Sequence, residues 1–247
     1  MREKECKMSN SFGSSLLSQY FSRNFAKITL QNASESTIIG KNRGGFADPM
    51  RGECAMEELK ERIVREGRVL PGNIIKVDGF LNHRIDTGLM DHIAVEFGRC
   101  FDMDRVSMIL TVEASGIALA AICAAHYGKP MIFAKKAKSD NIEGGLYQSD
   151  IYSYTYKKKV TLLVSREWLS PGDRVLIIDD FLANGEAIRG LCDIVSQAGA
   201  SLVGVGCAVE KGFQGGGDKL RSSGVNLKSL VIIESAKPGH IVFRDEQ

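Results

Sequence analysis

The sequence lacks several features that would place it in other protein classes. Its six cysteines include no Cys-x-x-Cys pair and only four histidines occur, so neither a zinc site nor a disulfide framework is indicated. It contains no run of about 18 apolar residues, the length that a membrane-spanning helix needs. The N-terminus has no uninterrupted apolar stretch of the kind found in secretory signals. These absences favour a cytoplasmic protein with reduced thiols.

A strong excess of charge of either sign is also absent. The 32 basic and 30 acidic residues leave a net charge of +2, so the composition does not predict a nucleic-acid partner. Hydrophobic residues make up 44% and charged residues 25% of the 247 residues, which is ordinary for a globular protein. A chain of this length can bury a sizeable core in one or two domains.

The first 55 residues differ in composition from the remainder. Residues 9–18 are rich in Ser, Asn and Gly, and residues 33–51 are polar and contain several glycines. This composition predicts a disordered extension over residues 1–55. The alternatives are a short amphipathic helix around Leu16–Phe25, or an addition in front of a true start at Met56. The functional domain is therefore expected over residues 56–247.

From Met56 onward, helical and strand patterns alternate. The predicted helices are 56–66, 89–101, 117–127 and 186–198, and the predicted strands are 106–112, 130–134, 160–164, 174–178, 201–209 and 227–233. Runs such as Val175–Ile178 are apolar on both faces, which favours a parallel sheet covered by helices. Residues 135–159 are polar and fit no element. A loop of this length is usually functional, the alternative being a surface hairpin without a role.

The most informative segment joins an acidic pair to a turn of small residues. Val175–Ile178 leads into Asp179 and Asp180, and Ala183–Ala187 then leads into a helix. Ligands of open parallel sheets bind at the carboxyl ends of the strands, and adjacent carboxylates repel each other unless a ligand or cation meets them. The free N–H groups of the turn and the helix dipole would attract a phosphate. The alternative is a plain connection in which Asp180 or Asn184 caps the helix.

This segment resembles the phosphoribosyl pyrophosphate motif of the type I phosphoribosyltransferases, and the fuller match is to the bacterial xanthine phosphoribosyltransferases. Further matches occur in the right order at residues 75–83, 111–117, 133–136 and 209–213. Four separated matches are far more specific than one motif. The resemblance extends from Met56 to about Phe243. It implies an α/β fold with a twisted, mainly parallel sheet flanked by helices, and a small hood from about 56–88 plus C-terminal residues.

The resemblance also implies a role for each part of the site. The acidic pair would be catalytic and would hold the ribose hydroxyls or the water shell of a metal: Asp179 and Asp180. The turn would bind the 5′-phosphate: Ala183, Asn184, Gly185, Glu186 and Ala187. The pyrophosphate loop, followed by a cationic lid, would comprise Glu113, Ala114, Ser115, Gly116 and Lys135. The purine would contact Ile75, Asn82 and Lys211.

For several of these residues an ordinary structural role is the alternative. Ser115 could be a helix N-cap, Lys135 could belong to a solvated charge run, and Ile75 could simply pack. Lys211 could lie on the surface at the end of a strand. Glu186 departs from the family, because many members have threonines in this turn and an ionised carboxylate cannot donate a hydrogen bond. We expect Glu186 to offer its backbone N–H and to point its side chain away from the phosphate.

The activity implied by the resemblance is purine salvage. The ribosyl 5-phosphate of phosphoribosyl pyrophosphate would be transferred to xanthine, giving xanthosine 5′-monophosphate and pyrophosphate, with Mg²⁺ bound mainly through phosphoribosyl pyrophosphate. The Lys211 ammonium is a donor only, which favours 6-oxopurines over adenine. The resemblance also implies a homodimer, with no nucleic-acid or membrane partner.

Two alternatives to this activity remain open. The first keeps the chemistry but changes the base to guanine, hypoxanthine or orotate. The second is a non-catalytic regulator that senses phosphoribosyl pyrophosphate and binds DNA. Residues 1–55 argue against the regulator, because they contain neither two clear helices with a recognition-type turn nor a basic helix.

Overall fold

A computed structural model describes residues 56–136, 145–153 and 158–244 of the chain. The predicted extension over residues 1–55 lies outside the described residues, as do parts of the unassigned segment 135–159. The helices are α1 (Glu57–Glu66), α2 (Thr87–Cys100), α3 (Gly116–Tyr127), α4 (Glu186–Gln197) and α5 (Gly216–Ser222). The strands are β1 (Arg68–Leu70), β2 (Ile74–Lys76), β3 (Met108–Val112), β4 (Met131–Ala134), β5 (Leu146–Ser153), β6 (Lys158–Ser165), β7 (Arg174–Leu182), β8 (Ser201–Lys211), β9 (Leu227–Lys237) and β10 (His240–Phe243).

A six-stranded sheet in the order β10-β9-β8-β7-β3-β4 forms the centre of the fold. Neighbouring strands are parallel except for β9 and β10, which are antiparallel. The predicted α/β class with a mainly parallel sheet is therefore confirmed. The order places β7 in the interior of the sheet, where its carboxyl end lies between those of β3 and β8.

The central strand β7 is apolar on both faces because helices cover both sides of the sheet. Leu176 and Ile178 pack into one core cluster together with residues of α2 and α3. Val175 and Ile177 pack into a second cluster together with residues of α4. All four side chains have 0% exposure, and burial of each stabilises the fold by about 1.5–3 kcal/mol. Both faces of β7 are thus anchored directly below the acidic pair.

β7 is longer than the sequence pattern predicts. The predicted strand ends at Ile178, but β7 continues through Asp179 and Asp180 to Leu182. The pairing with β8 explains the difference, because Asp179 lies opposite Cys207 and Leu182 opposite Glu210. The neighbouring strand holds the polar residues in an extended backbone, so the carboxylates belong to the sheet and not to the turn that follows.

The described parts of the unassigned segment 135–159 lie mainly in an antiparallel hairpin formed by β5 and β6. The predicted strand 160–164 is part of β6 and therefore lies outside the central sheet. The hairpin packs along α4 where Gly190 leaves room, since a Cβ there would lie 2.6 Å from Ile151 Cγ2. At the far end of α4, Gln197 Nε2 donates to the backbone oxygen of Gln148 at 2.7 Å. The hairpin is thus packed against the helix that follows the acidic strand.

Residues 56–86 contribute α1, the β1–β2 hairpin and one turn of π-helix at Asp78–Asn82. The backbone N–H of Met56 donates to the oxygen of Leu230 on β9 at 3.1 Å, and Leu59 and Ile63 are fully buried in the cluster that also contains Leu230. This region is the one that the resemblance describes as a hood.

Within the described ranges, Cys123, Cys192 and Cys207 are free cysteines. Among the described residues, none of the helices has both the length and the apolar character needed to cross a membrane.

Candidate active site

The acidic pair is buried at the carboxyl end of β7. Asp179 is 5% exposed and Asp180 is 1% exposed. The Ser115 hydroxyl donates to Asp180 Oδ1 at 2.8 Å, and Asp179 Oδ1 accepts from the backbone N–H of Asp180 at 3.1 Å. Asp180 Oδ2 is buried and has no hydrogen-bond partner among the described residues. An acceptor in this state is suited to a ligand that brings a hydroxyl, a cation or a metal-bound water.

Burial raises the pKa of Asp179 well above its ordinary value, and the neighbouring charge of Asp180 raises it further. The charge of Lys136 acts in the opposite direction and lowers the pKa. The ionised form of Asp179 is therefore disfavoured in the free protein relative to an ordinary aspartate. A cation or a hydrogen-bond donor that entered the site would favour the ionised pair.

The loop between β3 and α3, residues 113–116, contacts the acidic pair. Ser115 occupies the N-cap position of α3, but its side chain makes no capping hydrogen bond and instead contacts Asp180. Gly116 leaves room for the other carboxylate, since a Cβ there would lie 2.5 Å from Asp179 Oδ1. The Glu113–Ala114 peptide bond is cis. The predicted pyrophosphate loop and the predicted ribose-binding carboxylates are therefore adjacent in the fold.

Lys135 and Lys136 follow β4 at the same edge of the sheet. The backbone of Lys135 exchanges two hydrogen bonds of 2.9 Å with Leu163 of β6, which joins the hairpin to β4. The backbone N–H of Lys136 donates to the Glu113 carboxylate. Lys136 also lines the cavity at the acidic pair, so it lies in a better position than Lys135 to attract an anion.

The turn between β7 and α4 forms one wall of a cavity of about 170 Å³. Residues 183–187 contribute this wall, and the other walls come from Asp179, Phe181, Lys136 and the hairpin residues Ile151 and Tyr152. Gly185 has φ 82°, a left-handed conformation that glycine adopts without strain. The structure thus brings the predicted phosphate turn and Asp179 into one cavity at the start of a helix, where an anion is stabilised.

The Glu186 side chain points along the helix and towards the hairpin. Its Oε2 atom accepts from Arg189 Nη2 at 2.8 Å and from the backbone N–H of Tyr152 at 3.5 Å. The guanidinium of Arg189 lowers the pKa of Glu186. The carboxylate is therefore held by Arg189 and β5, and its orientation away from the phosphate stays a prediction.

We expect Glu186→Gln to change the KM for phosphoribosyl pyrophosphate by less than about fivefold, because a partly exposed ion pair contributes about 1 kcal/mol or less. Steady-state kinetics at saturating purine measures this value. A decrease in KM of about tenfold or more would contradict the observed orientation, since it would reveal a carboxylate close enough to repel the phosphate.

Lys211 lies at the end of β8 and is half-buried, so it is not a surface lysine. Its Nζ atom lies 5.1 Å from the centroid of the Phe181 ring. Burial lowers the pKa of Lys211, and the charge of Asp180 partly opposes this shift. The structure thus places a constrained donor on the side of β7 that carries Phe181, near the acidic pair.

Ile75 and Asn82 lie in the region described as a hood. Ile75 is 6% exposed and packs in the same core cluster as Val77 and Phe80. Asn82 is half-buried at the end of the π-helical turn. Their contact with a purine remains a prediction, and for Ile75 the packing role considered from the sequence is the one that the structure displays.

Comparison with known proteins identifies the family to which this chain belongs. Residues 89–234 match the family model for the phosphoribosyl transferase domain. Xanthine phosphoribosyltransferase of Bifidobacterium adolescentis is 50% identical over 192 residues, which cover 76% of this chain and 100% of that protein. The enzyme of the same name from Lachnoclostridium phytofermentans is 50% identical over 194 residues, which cover 78% of this chain and 100% of that protein. The chain belongs to the xanthine phosphoribosyltransferase family.

The solved structures that resemble this phosphoribosyltransferase confirm the fold. The APRTase of Giardia lamblia, complexed with 9-deazaadenine, has a TM-score of 0.60 and 20% sequence identity, and the match covers 72% of this chain and 98% of that one. The adenine phosphoribosyltransferase of Rhodothermus marinus has a TM-score of 0.59 and 20% identity, and the match covers 72% and 100% of the two chains.

The Mg²⁺ that phosphoribosyltransferases generally use with phosphoribosyl pyrophosphate is compatible with the donors present. Mg²⁺ prefers oxygen ligands and is usually bound by one or two carboxylates together with substrate phosphates. Asp179 and Asp180 offer such oxygens, and the unpartnered Asp180 Oδ2 is suited to a metal-bound water. Within the described parts of the chain, no group of three or more metal-ligating side chains occurs. The carboxylate oxygens of Asp179 and Asp180 therefore fit a Mg²⁺ ion.

Sequence reasoning missed two side chains that the fold brings to the cavity. Phe181 directly follows the acidic pair, and Tyr152 comes from the hairpin. Phe181 could have been identified from its position beside the carboxylates. Nothing in the sequence around Tyr152 indicates its place in the cavity, because the hairpin reaches the site through its packing against α4 and through the pairing of Leu163 with Lys135.

Proposed function

We propose that this phosphoribosyltransferase transfers the ribosyl 5-phosphate of phosphoribosyl pyrophosphate to xanthine, giving xanthosine 5′-monophosphate and pyrophosphate. One structural observation supports this proposal more strongly than the others do. The buried pair Asp179 and Asp180 lies beside the cavity formed by the turn 183–187, and Ser115 of the loop 113–116 contacts the pair. A sugar with an anion on either side of it matches this arrangement of carboxylates between two anion-binding loops.

The reaction requires alignment and charge stabilisation but no enzyme nucleophile. A ring nitrogen of the purine attacks the anomeric carbon, the bond from this carbon to pyrophosphate breaks with its electron pair leaving on the pyrophosphate oxygen, and the proton of the nitrogen passes to pyrophosphate or to water. Asp179 and Asp180 accept hydrogen bonds from the ribose hydroxyls and stabilise the positive charge that develops on the ring. The turn 183–187 and the base pocket align the reactants, which can contribute about 7–11 kcal/mol to the rate enhancement.

Bound Mg²⁺ would neutralise charge on the departing pyrophosphate. The residues that would hold it are Asp179 and Asp180, together with oxygens of the substrate. Lys136 contributes a positive charge at the same edge of the cavity, and Ser115 keeps Asp180 oriented towards the loop 113–116. Exclusion of water by the hairpin strengthens these electrostatic interactions.

The half-buried ammonium of Lys211 supports a 6-oxopurine as the acceptor. It can donate to a carbonyl oxygen at purine position 6 but cannot accept from an amino group there. The structural neighbours named for adenine share the fold at low identity, whereas the relatives of high identity are named for xanthine. On the basis of the family resemblance alone, we assign Ile75 and Asn82 to the base pocket and Lys135 to the lid. On the same basis we propose that the protein is a homodimer located in the cytoplasm.

Initial rates with xanthine, guanine, hypoxanthine, orotate and adenine, each with phosphoribosyl pyrophosphate and Mg²⁺, test the proposal. We expect xanthine to give the highest kcat/KM, because a site that pairs with a polar group of its substrate discriminates strongly against analogues that lack the group. Preference for guanine or hypoxanthine would retain the chemistry and refute the base assignment. Tight binding of duplex DNA without turnover of any base would establish the regulator instead.

A further inference from the structure

Glu210 is a buried charged side chain that the proposed reaction does not use. It directly precedes Lys211 at the end of β8 and is 0% exposed. Arg221 of α5 donates to both of its oxygens, with Nη1 3.0 Å from Oε1 and Nη2 2.5 Å from Oε2, and the Ser229 hydroxyl of β9 also donates to Oε2. A carboxylate held by both arms of a guanidinium has one orientation, so Glu210 fixes the end of β8 to α5.

Two glycines at the start of α5 lie in direct contact with parts of the site. A Cβ at Gly217 would collide with the Glu210 carboxylate. A Cβ at Gly216 would collide with the Ala183 oxygen and would lie 2.6 Å from the backbone nitrogen of Gly185. The first turn of α5 therefore touches the phosphate turn on one side and the anchor of β8 on the other, with no space for a larger residue at either point.

The alternation of side chains along β8 connects this anchor to the base site. Successive residues of a strand point to opposite faces, so while Glu210 points towards α5, Lys211 points towards Phe181 and the acidic pair. Fixing the Glu210 side chain also fixes the backbone from which Lys211 extends. Lys211 and the turn 183–187 are in this way attached to the same short helix.

We propose that Glu210, Arg221, Gly216 and Gly217 position Lys211 relative to the phosphate turn. They hold the purine and the ribose phosphate at the separation that the transfer requires. They are positioning residues, since the contacts that the structure gives them are with the strand of Lys211 and with the turn. The inference rests on the proposed function. A misplacement of about 1 Å in such a system can reduce the rate about a hundredfold.

The test compares Gly217→Ala and Arg221→Lys with the control Gly172→Ala. Gly172 has no atom within 4 Å of the position of an added Cβ. For Gly217→Ala we expect the kcat per folded enzyme molecule to fall about tenfold or more and the KM values for xanthine and for phosphoribosyl pyrophosphate both to rise, because both reactants are displaced from their aligned positions. Arg221→Lys keeps the charge but loses the fork geometry, so its effect should be intermediate. Gly172→Ala should keep wild-type values.

A purely structural role predicts a different pattern. It would lower the thermal unfolding midpoint and the amount of folded enzyme, and hence the apparent kcat, but would leave the kcat per folded molecule and both KM values unchanged. That pattern would overturn the proposal, as would a change in the KM for one substrate alone. If Gly217→Ala does not fold, the kcat per folded molecule and the two KM values of Arg221→Lys distinguish the positioning role from the purely structural role. Failure of the wild-type protein to turn over any purine would instead refute the proposed function, and this inference with it.

Discussion

Asp180→Asn is expected to lower kcat/KM for xanthosine monophosphate formation by about 10²–10³-fold, the usual effect of removing one group that stabilises charge in a transition state. Asparagine keeps the size of the side chain, and its amide oxygen can still accept from Ser115. It removes the negative charge that meets the developing charge on the ribose and holds the metal's water shell. Steady-state kinetics with saturating Mg²⁺ measures the loss.

The same substitution should not destabilise the protein. Asp180 is 1% exposed and lies beside Asp179, which is also buried, so the wild-type pair carries a repulsion that asparagine removes. We expect the free energy of unfolding of Asp180→Asn to equal or exceed that of the wild type. Loss of activity with unchanged stability separates a functional role from a packing role. Asp91→Asn is the matched control, because Asp91 is exposed and pairs only at the surface with His126 among the described residues.

The dependence of stability on pH provides an independent check. The pKa of Asp179 is raised above its ordinary value of 3.8 in the folded protein, because of burial first and the charge of Asp180 second. The folded state therefore binds a proton more tightly than the unfolded state, so this contribution to stability is complete below pH 3.8 and is lost as the pH rises through the raised pKa. In Asp180→Asn the charge of residue 180 no longer raises the pKa of Asp179. The loss of stability with rising pH should therefore be smaller than in the wild type. An equal pH dependence in both proteins would contradict the coupling of the two carboxylates.

Lys211→Met is expected to lower kcat/KM for xanthine by about 10- to 100-fold, the range that corresponds to loss of a hydrogen bond to a charged donor. Methionine fills a similar volume but cannot donate to the oxygen at purine position 6. The loss should be specific for the base, so the Kd for phosphoribosyl pyrophosphate alone should remain near the wild-type value. Calorimetric titration and steady-state kinetics measure the two quantities separately.

Stability again distinguishes function from structure for this lysine. Burial lowers the pKa of Lys211, which means that the charged form carries a desolvation cost in the folded protein. Its contribution to stability is present above the ordinary pKa of 10.5 and is lost as the pH falls through the lowered pKa. At neutral pH, Lys211→Met should therefore be as stable as the wild type or more stable.

The exposed lysine Lys237 on β9 serves as control, and Lys237→Met should leave both the kcat/KM for xanthine and the Kd for phosphoribosyl pyrophosphate unchanged. An equal loss of kcat/KM in the two variants would refute a base contact at Lys211.

Local patterns in the sequence predicted most of the sheet. The run Val175–Ile178 is apolar at successive positions because both faces of β7 are buried, and this is visible without a structure. The predicted helix 186–198 agrees with α4 within one residue, since its apolar positions repeat at helical spacing and Gly199 follows its end. Strand ends were less predictable. Asp179 and Asp180 look like loop residues, and their extended backbone follows from pairing with β8.

In the candidate site, too, features within one segment were predictable from the sequence, and contacts between distant segments were not. The acidic pair and the turn 183–187 are continuous in sequence, so their adjacency was predictable. Ser115 was assigned to the pyrophosphate loop or to a helix cap, and its hydrogen bond to Asp180 joins residues 65 positions apart. Sequence spacing carries no information on such a pair, because it depends on how β3 and β7 align in the sheet.

The order of amino acids was sufficient to predict the class of fold and the family and to indicate the segment proposed to carry the chemistry, because burial on both faces of a strand and a turn after two carboxylates leave local signatures. Folding alone determined that β5 and β6 pack as a hairpin along α4, and that Lys136 and Tyr152 line the cavity. It also determined that Glu210 fixes the strand of Lys211 to the helix beside the phosphate turn. These features depend on contacts between segments far apart in the chain, and such contacts exist only when the sheet has brought the segments together.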